Sequence, residues 1–534
     1  MHRTPRCHTE GLSIRLMPPA SSSLSGDRLI SVCFLIGLII ALTGKALAAE
    51  PVPPFVLQLA RQPDAFRGQA DKTRPIPTFN AAELPAPIIA DHKGWVHLYW
   101  KAWRLAWKHL KEPTHANGFR GYYISPAFDG HIFQWDTCFI LQYARYAYPY
   151  LNDIRSLDNF YVHQHKSGYI CREITENRGR DYWPSTSPSS INPPLFSWAE
   201  WRWYQFTGND SRFAKVLPVL THYYLWLRLH RRRPDGCYWN DGLGSGCDDT
   251  VIQGRAYGWV DMTSQQALDA LYMAKIAAKV GRRRVAHWFR RQYVRLKQLV
   301  NRLMWDPRVG FYYPISRAGH WIEAKSTLSF WPLLAGIASQ RQAAEMVRHL
   351  TEVKEFWRPD VVPTLAYNAI GYNADGQYWR GAVWAPTNYM VACGLARYGY
   401  YGLARRIAVR YLDNMSAVLH RTGTIWENYA PEYAAGFGKP NMVGWSGVGP
   451  IAMLIENILG ITVDAPDEKV IWRPRLQQKN GIKRLMVGDT RLYLVAGPVH
   501  DGRRTLYASS DGPLELQINL SHPKRTHLIE LMGG

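Results

Sequence analysis

Two short acidic stretches, Ser245-Gly246-Cys247-Asp248-Asp249 and Trp426-Glu427-Asn428-Tyr429, set carboxylates among small or aromatic neighbours in segments that read as loops. Water attack at an acetal carbon needs one carboxylic acid to protonate the departing oxygen and one carboxylate to activate the water. Two such loops meeting in space would therefore suffice for glycoside hydrolysis. Either stretch alone also fits a turn or a helix N-cap, where Ser, Gly and Asp are common. The surroundings decide between these readings.

The chain carries 22 tryptophans and 31 tyrosines. Many stand beside Gly, Pro, Asn and Asp, where a flat aromatic face can stack on the C–H face of a sugar, while others fill the core. Beyond the first 50 residues the cysteines are Cys138, Cys171, Cys237, Cys247 and Cys393. A sparse, odd set is not a disulfide framework, although one pair, such as Cys237 with Cys247, fits an oxidising compartment. No Cys-x-x-Cys or His-Glu-x-x-His spacing occurs, so neither a catalytic metal nor another cofactor is expected. The formal charge of +22 raises the question of nucleic acid, which basic surfaces bind by releasing counterions. Its arginines, however, fall in short runs, Arg231-Arg232-Arg233, Arg282-Arg283-Arg284 and Arg290-Arg291, at the ends or polar faces of helical patterns. Such runs read as solvated faces, and no nucleic-acid partner is expected.

The elements that must position the acids are mostly helical. From about residue 91 to 464 the apolar residues recur at helical spacing: Trp95, Leu98, Ala102 and Leu105 form one stripe, and Phe213, Val216, Leu217, Leu220, Tyr224 and Leu227 another. A third runs through Val285, Trp288, Phe289, Leu296, Leu299, Val300 and Leu303. About twelve such segments follow one another, near 94–111, 136–150, 156–166, 194–207, 211–230, 263–280, 283–304, 328–339, 341–350, 385–398, 402–419 and 445–459. Short turns alternate with long loops, and the acids and many aromatics lie in the long ones. If every long loop joins the two helices of a pair, all of them emerge at one end of a helical toroid, with the site at that mouth. Beyond residue 465 short alternating runs, among them Lys469–Trp472, Thr490–Val495 and Leu514–Ile518, predict a small β-rich C-terminal module spanning 465–534.

The N-terminus reads as an address label. Basic residues precede the apolar run Leu29–Leu42, and Ala46-Leu47-Ala48 offers small residues for cleavage. That order predicts a signal peptide over residues 1–48, export to the periplasm or medium, and no stable membrane insertion after cleavage. The apolar run is short of the roughly 20 residues a spanning helix needs. The long basic region also admits Met17 as the true start. Residues 49–90, rich in proline, are expected to form an arm over the folded body.

Taken in order, Trp135-Asp136, Asn192-Pro193-Pro194, Ser245-Gly-Cys-Asp248, Tyr378-Trp-Arg-Gly-Ala-Val-Trp-Ala-Pro-Thr-Asn388, Glu427-Asn-Tyr429 and Gly444-Trp445-Ser446 resemble the glycoside hydrolase family 63 and trehalase group over roughly residues 90 to 460. The resemblance implies an (α/α)6 toroid, a six-hairpin glycosidase, that hydrolyses α-linked glucosyl or mannosyl sugars with inversion. It maps the general acid onto Asp248 and the base onto Glu427. Burial and the neighbouring Asp249 would raise the Asp248 pKa, as a general acid requires. Trp426 and Tyr429 would wall the water held by Glu427. Trp135, Trp379 and Trp445 become candidates for contact with the sugar ring, and Asp136, Arg180, Asn192, Arg380 and Asn388 for hydrogen bonds to its hydroxyls. Trehalases carry a Gly-rich stretch before the base and an aromatic residue within the acid motif. Here Thr424-Ile-Trp precedes Glu427 and Cys247 precedes Asp248, closer to family 63 and to bacterial mannosylglycerate-hydrolase-like relatives.

Two other classes share parts of this pattern. Polysaccharide lyases also use helical toroids, but they need a Tyr/His proton-abstraction site, and His131 alone stands near the acid-bearing loops. A non-catalytic sugar-binding toroid would keep the aromatics without needing both Asp248 and Glu427.

Overall fold

The computed structural model describes residues 12–16, 51–67, 75–520 and 528–531. The apolar run and cleavage site expected of a leader lie outside the described residues. Among the described residues, no helix is long and apolar enough to cross a membrane.

Helices of two kinds alternate along the chain. The first kind is apolar on one face only: Lys93–Lys108 buries Trp95, Leu98, Ala102 and Leu105, and Arg283–Leu303 buries Val285, Trp288, Phe289, Leu296, Leu299 and Val300 while its arginines face outward. The second kind is buried all round, as an element enclosed by others must be. Gln134–Ala144 buries all 11 of its residues, and Trp331–Leu334 all 4. The enclosed segments are Gln134–Ala144, Phe196–Thr207, Val260–Lys279, Trp331–Leu334, Ala385–Arg397 and the pair Trp445–Val448 and Gly449–Ile458. Each packs on the next, and the last packs on the first. That closed inner ring, with the one-faced helices outside it, is an (α/α)6 toroid.

Every long connection runs from an outer helix to the start of the next inner segment, and every short one leaves an inner segment's C-terminal end. The long loops therefore gather at the mouth formed by the inner N-termini. Three of the expected helices are fragmentary, among them the one near 328–339, which is a 3-10 turn, Thr327–Phe330, followed by the single α-turn Trp331–Leu334. The segment near 156–166 is a 3-10 turn, Asp153–Leu157, followed by the single α-turn Asp158–Tyr161, and the one near 445–459 is a 3-10 turn leading into the π-helix Gly449–Ile458.

The C-terminal strands form two sheets. One has the order Leu12–Leu16, Leu514–Ile518, Lys469–Trp472, Ile461–Asp464; the other runs Leu528–Leu531, Thr505–Ser510, Thr490–Ala496, Asn480–Val487, Ala86–Ile89. Alternating burial along Leu514–Ile518 and Lys469–Trp472 in the first sheet, and along Ala86–Ile89 in the second, gives each sheet an inner and an outer face. The proline-rich arm contributes to both parts: helix Pro54–Ala60 packs on the outer helix Phe213–His230, and Ala86–Ile89 pairs antiparallel with Asn480–Lys483.

One arginine run departs from the solvated face expected of it. Arg231 is buried, with its guanidinium donating to the carbonyls of Ser187 and Pro188 at 2.9 Å each and to Ser190 Oγ at 2.7 Å. It pins the loop that leads to Asn192. Arg282, Arg283 and Arg284 are exposed, as a solvated run should be.

Candidate active site

The acid loop rests on a tryptophan. Asp241 caps the single helical turn Gly242–Ser245 by accepting the Gly244 N–H, and Gly246 follows in the left-handed region at φ 76°. A β-carbon on Gly246 would lie 2.9 Å from the Trp135 indole, so only glycine lets the loop settle there. Asp248 then projects so that Oδ2 accepts the Tyr378 hydroxyl at 3.0 Å. Burial pushes the Asp248 carboxyl up to about 6. The charge of Arg172 and the Tyr378 hydrogen bond oppose that rise, whereas Asp249 and Glu427 add to it. Asp249 plays a structural part instead. Its Oδ1 accepts the Trp379 N–H at 2.9 Å, and its backbone carbonyl accepts Arg380 Nε at 2.8 Å. These bonds fasten the acid loop to the segment that carries Tyr378.

Glu427 lies on the short strand Trp426–Tyr429, paired antiparallel with Gly436–Pro440. Its Oε2 accepts the Lys439 N–H at 2.9 Å. Gly438, at φ 76°, leaves room for this carboxylate; a β-carbon there would lie 2.1 Å from Oε2. Burial raises the Glu427 pKa, with the Lys439 N–H and charge pulling the other way. No hydrogen bond among the described residues engages Oε1, which leaves it available to hold a water.

A third carboxylate completes the cluster. Asp136, in the first turn of Gln134–Ala144, is buried and raised well above the ordinary carboxylate range, chiefly by burial and further by the charges of Glu427 and Asp248. Asp136 Oδ1, Asn192 Oδ1, Trp135 Nε1 and Trp379 Nε1 are buried with no partner among the described residues. Buried polar atoms are costly unless hydrogen-bonded, and hydroxyl-rich ligands or water supply what they lack.

The aromatic candidates are arranged as a wall. Trp379 stacks on Trp384 with ring centroids 3.9 Å apart and planes 5° from parallel, leaving its other face uncovered by that partner. Trp445 approaches Trp384 at 5.8 Å, and its indole N–H points to the Glu427 carbonyl at 3.4 Å.

Several sequence-based assignments are corrected. Arg180 sits exposed on the turn after Glu173–Thr175, and the charge that acts on Asp248 and Asp136 is that of Arg172 instead. The guanidinium among them is Arg172, buried, bonded to the Leu243 carbonyl at 2.5 Å and to Glu173 at 3.2 Å. The Asn388 amide is spent on backbone: it accepts the Val362 N–H at 2.7 Å and donates to the Trp384 carbonyl at 2.9 Å. Arg380 Nε is likewise committed to Asp249. Tyr429 does not wall a water, because it is fully buried with its hydroxyl accepting the Trp426 N–H at 3.2 Å, and the Trp426 indole donates to Thr422 at 3.1 Å. Cys237 and Cys247 are buried as free thiols rather than paired. The sequence reading gave no role to two residues that act on Asp248: Arg172, and Tyr378, whose signal was its place beside Trp379 and Arg380 in an aromatic loop.

Comparison with known proteins identifies the family and the fold. The pattern of the mannosylglycerate hydrolase MGH1-like glycoside hydrolase domain matches residues 130–446. The chain is 28% identical over 378 residues to an uncharacterized protein of Borreliella burgdorferi, covering 68% of this chain and 79% of that one. It is 32% identical over 186 residues to the mannosylglycerate hydrolase of Thermus thermophilus, covering 34% of this chain but only 41% of the relative. Among solved structures, the family 63 mannosylglycerate hydrolase of Thermus thermophilus in complex with glucose superposes with a TM-score of 0.55 at 19% identity, covering 66% of this chain and 99% of that one. At that identity the likeness speaks to the fold.

Proposed function

Because the chain belongs to the mannosylglycerate hydrolase MGH1-like glycoside hydrolases, we propose that it cleaves small α-linked glucosyl or mannosyl sugars with inversion, using Asp248 as general acid and Glu427 as general base. One observation carries the assignment: two carboxylates in one cluster are held differently. Asp248 is pushed to about 6 and faces a phenol, whereas Glu427 is fixed through Oε2 by a backbone N–H with Oε1 left open. An acid must be protonated at working pH and a base ionised, and environments that separate two carboxylates are how such roles are divided. In the reaction Asp248 gives its proton to the departing oxygen while Glu427 takes one from a water that attacks the opposite face of the anomeric carbon. Arg172 and Tyr378 stabilise the Asp248 carboxylate left behind. The unpartnered indole N–H groups of Trp379 and Trp135, with Asp136 and Asn192, offer hydrogen bonds to the sugar's hydroxyls.

The Thermus relative is named for mannosylglycerate, which favours a hexose joined to a small acid over a long glycan. Turnover of α-mannosylglycerate, α-glucosylglycerate and α,α-trehalose tests this. Release of free hexose from a glycerate glycoside faster than from trehalose is expected. Trehalose as the best substrate would move the reading to a trehalase, and no release from any of the three would reject the small-substrate reading. Export belongs to the same proposal and rests on the basic, apolar and small-residue order before Ala49.

A further inference from the structure

The opposite mouth of the toroid holds a second cavity, about 340 Å³, between the C-terminal ends of the inner segments and the edge of the C-terminal sheet. Arg145, Arg202, Lys275, Arg397 and Arg473 line it, and among the described residues Glu456 is the one carboxylate in its wall. Glu456 is already saturated. It accepts from Arg145, from Arg202 at 3.1 Å, from Tyr146 at 2.9 Å and from Tyr389 at 3.0 Å. Among the described residues, Lys275, Arg397 and Arg473 have no carboxylate partner within ion-pair distance, and Arg202 Nε is buried with no acceptor. Asp464 lies within electrostatic range of Lys275 and Arg202 and does not balance the remainder.

A plainer role for these cations is to offset the roughly half negative charge at each helix C-terminus. That role accounts for Arg397, which lies in the last turn of Ala385–Arg397, but it calls for no cavity between the cations. Among the described residues, the side chains of Lys275, Arg397 and Arg473 make no hydrogen bond to a last-turn carbonyl: Arg473 donates to Thr462 Oγ1 at 3.2 Å and lies 3.9 Å over the Tyr401 ring, and Lys275 lies 5.0 Å over the Trp201 ring. All three line the cavity without a carboxylate of their own among the described residues: Arg397 lies against Gly336, and Lys275 also lies 5.2 Å over the Tyr272 ring.

We propose that this cavity is a binding site for a small phosphate-bearing anion, separate from the glycosidase centre. Its volume is in the range of small-molecule sites, which favour the junctions between structural units. Guanidinium forks and an ammonium together suit a multiply charged phosphate better than a single carboxylate. Tyr272, Tyr401 and Trp198 supply apolar wall for an organic remainder. The site does not depend on the roles given to Asp248 and Glu427.

Isothermal titration of the full chain at fixed ionic strength tests the proposal, with inorganic pyrophosphate and a hexose phosphate as probes. Saturable binding of one equivalent is expected. The double variant Lys275→Ala/Arg397→Ala should weaken it by about tenfold or more, the loss of charge-assisted contacts, and leave glycoside turnover unchanged. Tighter binding of the hexose phosphate would assign the aromatic wall to the organic part, and equal binding would assign the site to the phosphate group alone. Absence of binding, or binding undiminished in the variant, overturns the site. A variant that melts earlier while the wild type ignores both probes would leave only helix-end neutralisation.

Discussion

In the proposed mechanism Asp248 works protonated, so a folded-state pKa raised to about 6 sets where activity should be lost. As pH rises through that value the protonated fraction falls, and kcat/KM should fall with it. The proposed base, Glu427, must be ionised, and because burial raises its pKa, the acid limb should lie above the ordinary glutamate value. Tyr378 sharpens the test. Its hydrogen bond favours the Asp248 carboxylate, so Tyr378→Phe should move the alkaline limb to higher pH. A limb that stays in place or moves down would separate Tyr378 from the acid. Asp248→Asn and Glu427→Gln should each lower turnover by about 10²–10⁴-fold, the range for general acid–base groups. Asp249→Asn, which keeps an oxygen for the Trp379 N–H, should cost less. Steady-state rates on folded variants check the order, and a larger loss at Asp249 would reassign the acid.

Short elements hold these groups, and two substitutions distinguish positioning from packing. Gly438→Ala would drive a β-carbon into Glu427 Oε2 at a φ that also strains alanine, so the melting temperature should fall modestly, whereas kcat of the folded variant should collapse. Asn388→Ala should do the reverse. It leaves the buried Val362 N–H without its acceptor, at a cost of about 1–3 kcal/mol in stability, with little change in KM. A raised KM at unchanged stability would return Asn388 to the sugar site. The helices themselves were legible because their periodicity is local: Lys93–Lys108 and Arg283–Leu303 announce one buried face each. The choice of Arg172 over Arg180 was not, since both flank the same short strand. Only its pairing with His131–Phe133 decides which one turns inward. Asn388 likewise looks like a sugar ligand in sequence, because the backbone of Val362 that consumes its amide is brought alongside by tertiary folding.

At the scale of the molecule, one ring of inner helices has two ends with different chemistry: carboxylates and indoles where the long loops gather, cations where the short turns lie. The C-terminal sheets were legible as strands but not as a partnership. Ala86–Ile89 joins them from the far end of the chain, and no local pattern announces so distant a pairing. Leu12–Leu16 raises a sharper question, because it pairs with Leu514–Ile518 although it lies within the expected leader. Cleavage near Ala49 would remove that strand and leave Leu514–Ile518 at the sheet edge. N-terminal sequencing decides between the two: the proposed export requires a start near Ala49, whereas Met1 on a protein retained in the membrane would contradict export. The claim on which the rest depends is that Asp248 protonates the leaving group while Glu427 activates a water, an arrangement that inverts the anomeric centre. Proton NMR during the first minutes of hydrolysis of an α-linked substrate tests it most directly. The β-anomer of the released hexose should accumulate first and mutarotate later; initial release of the α-anomer, or a glycosyl ester trapped on Glu427, would contradict the account.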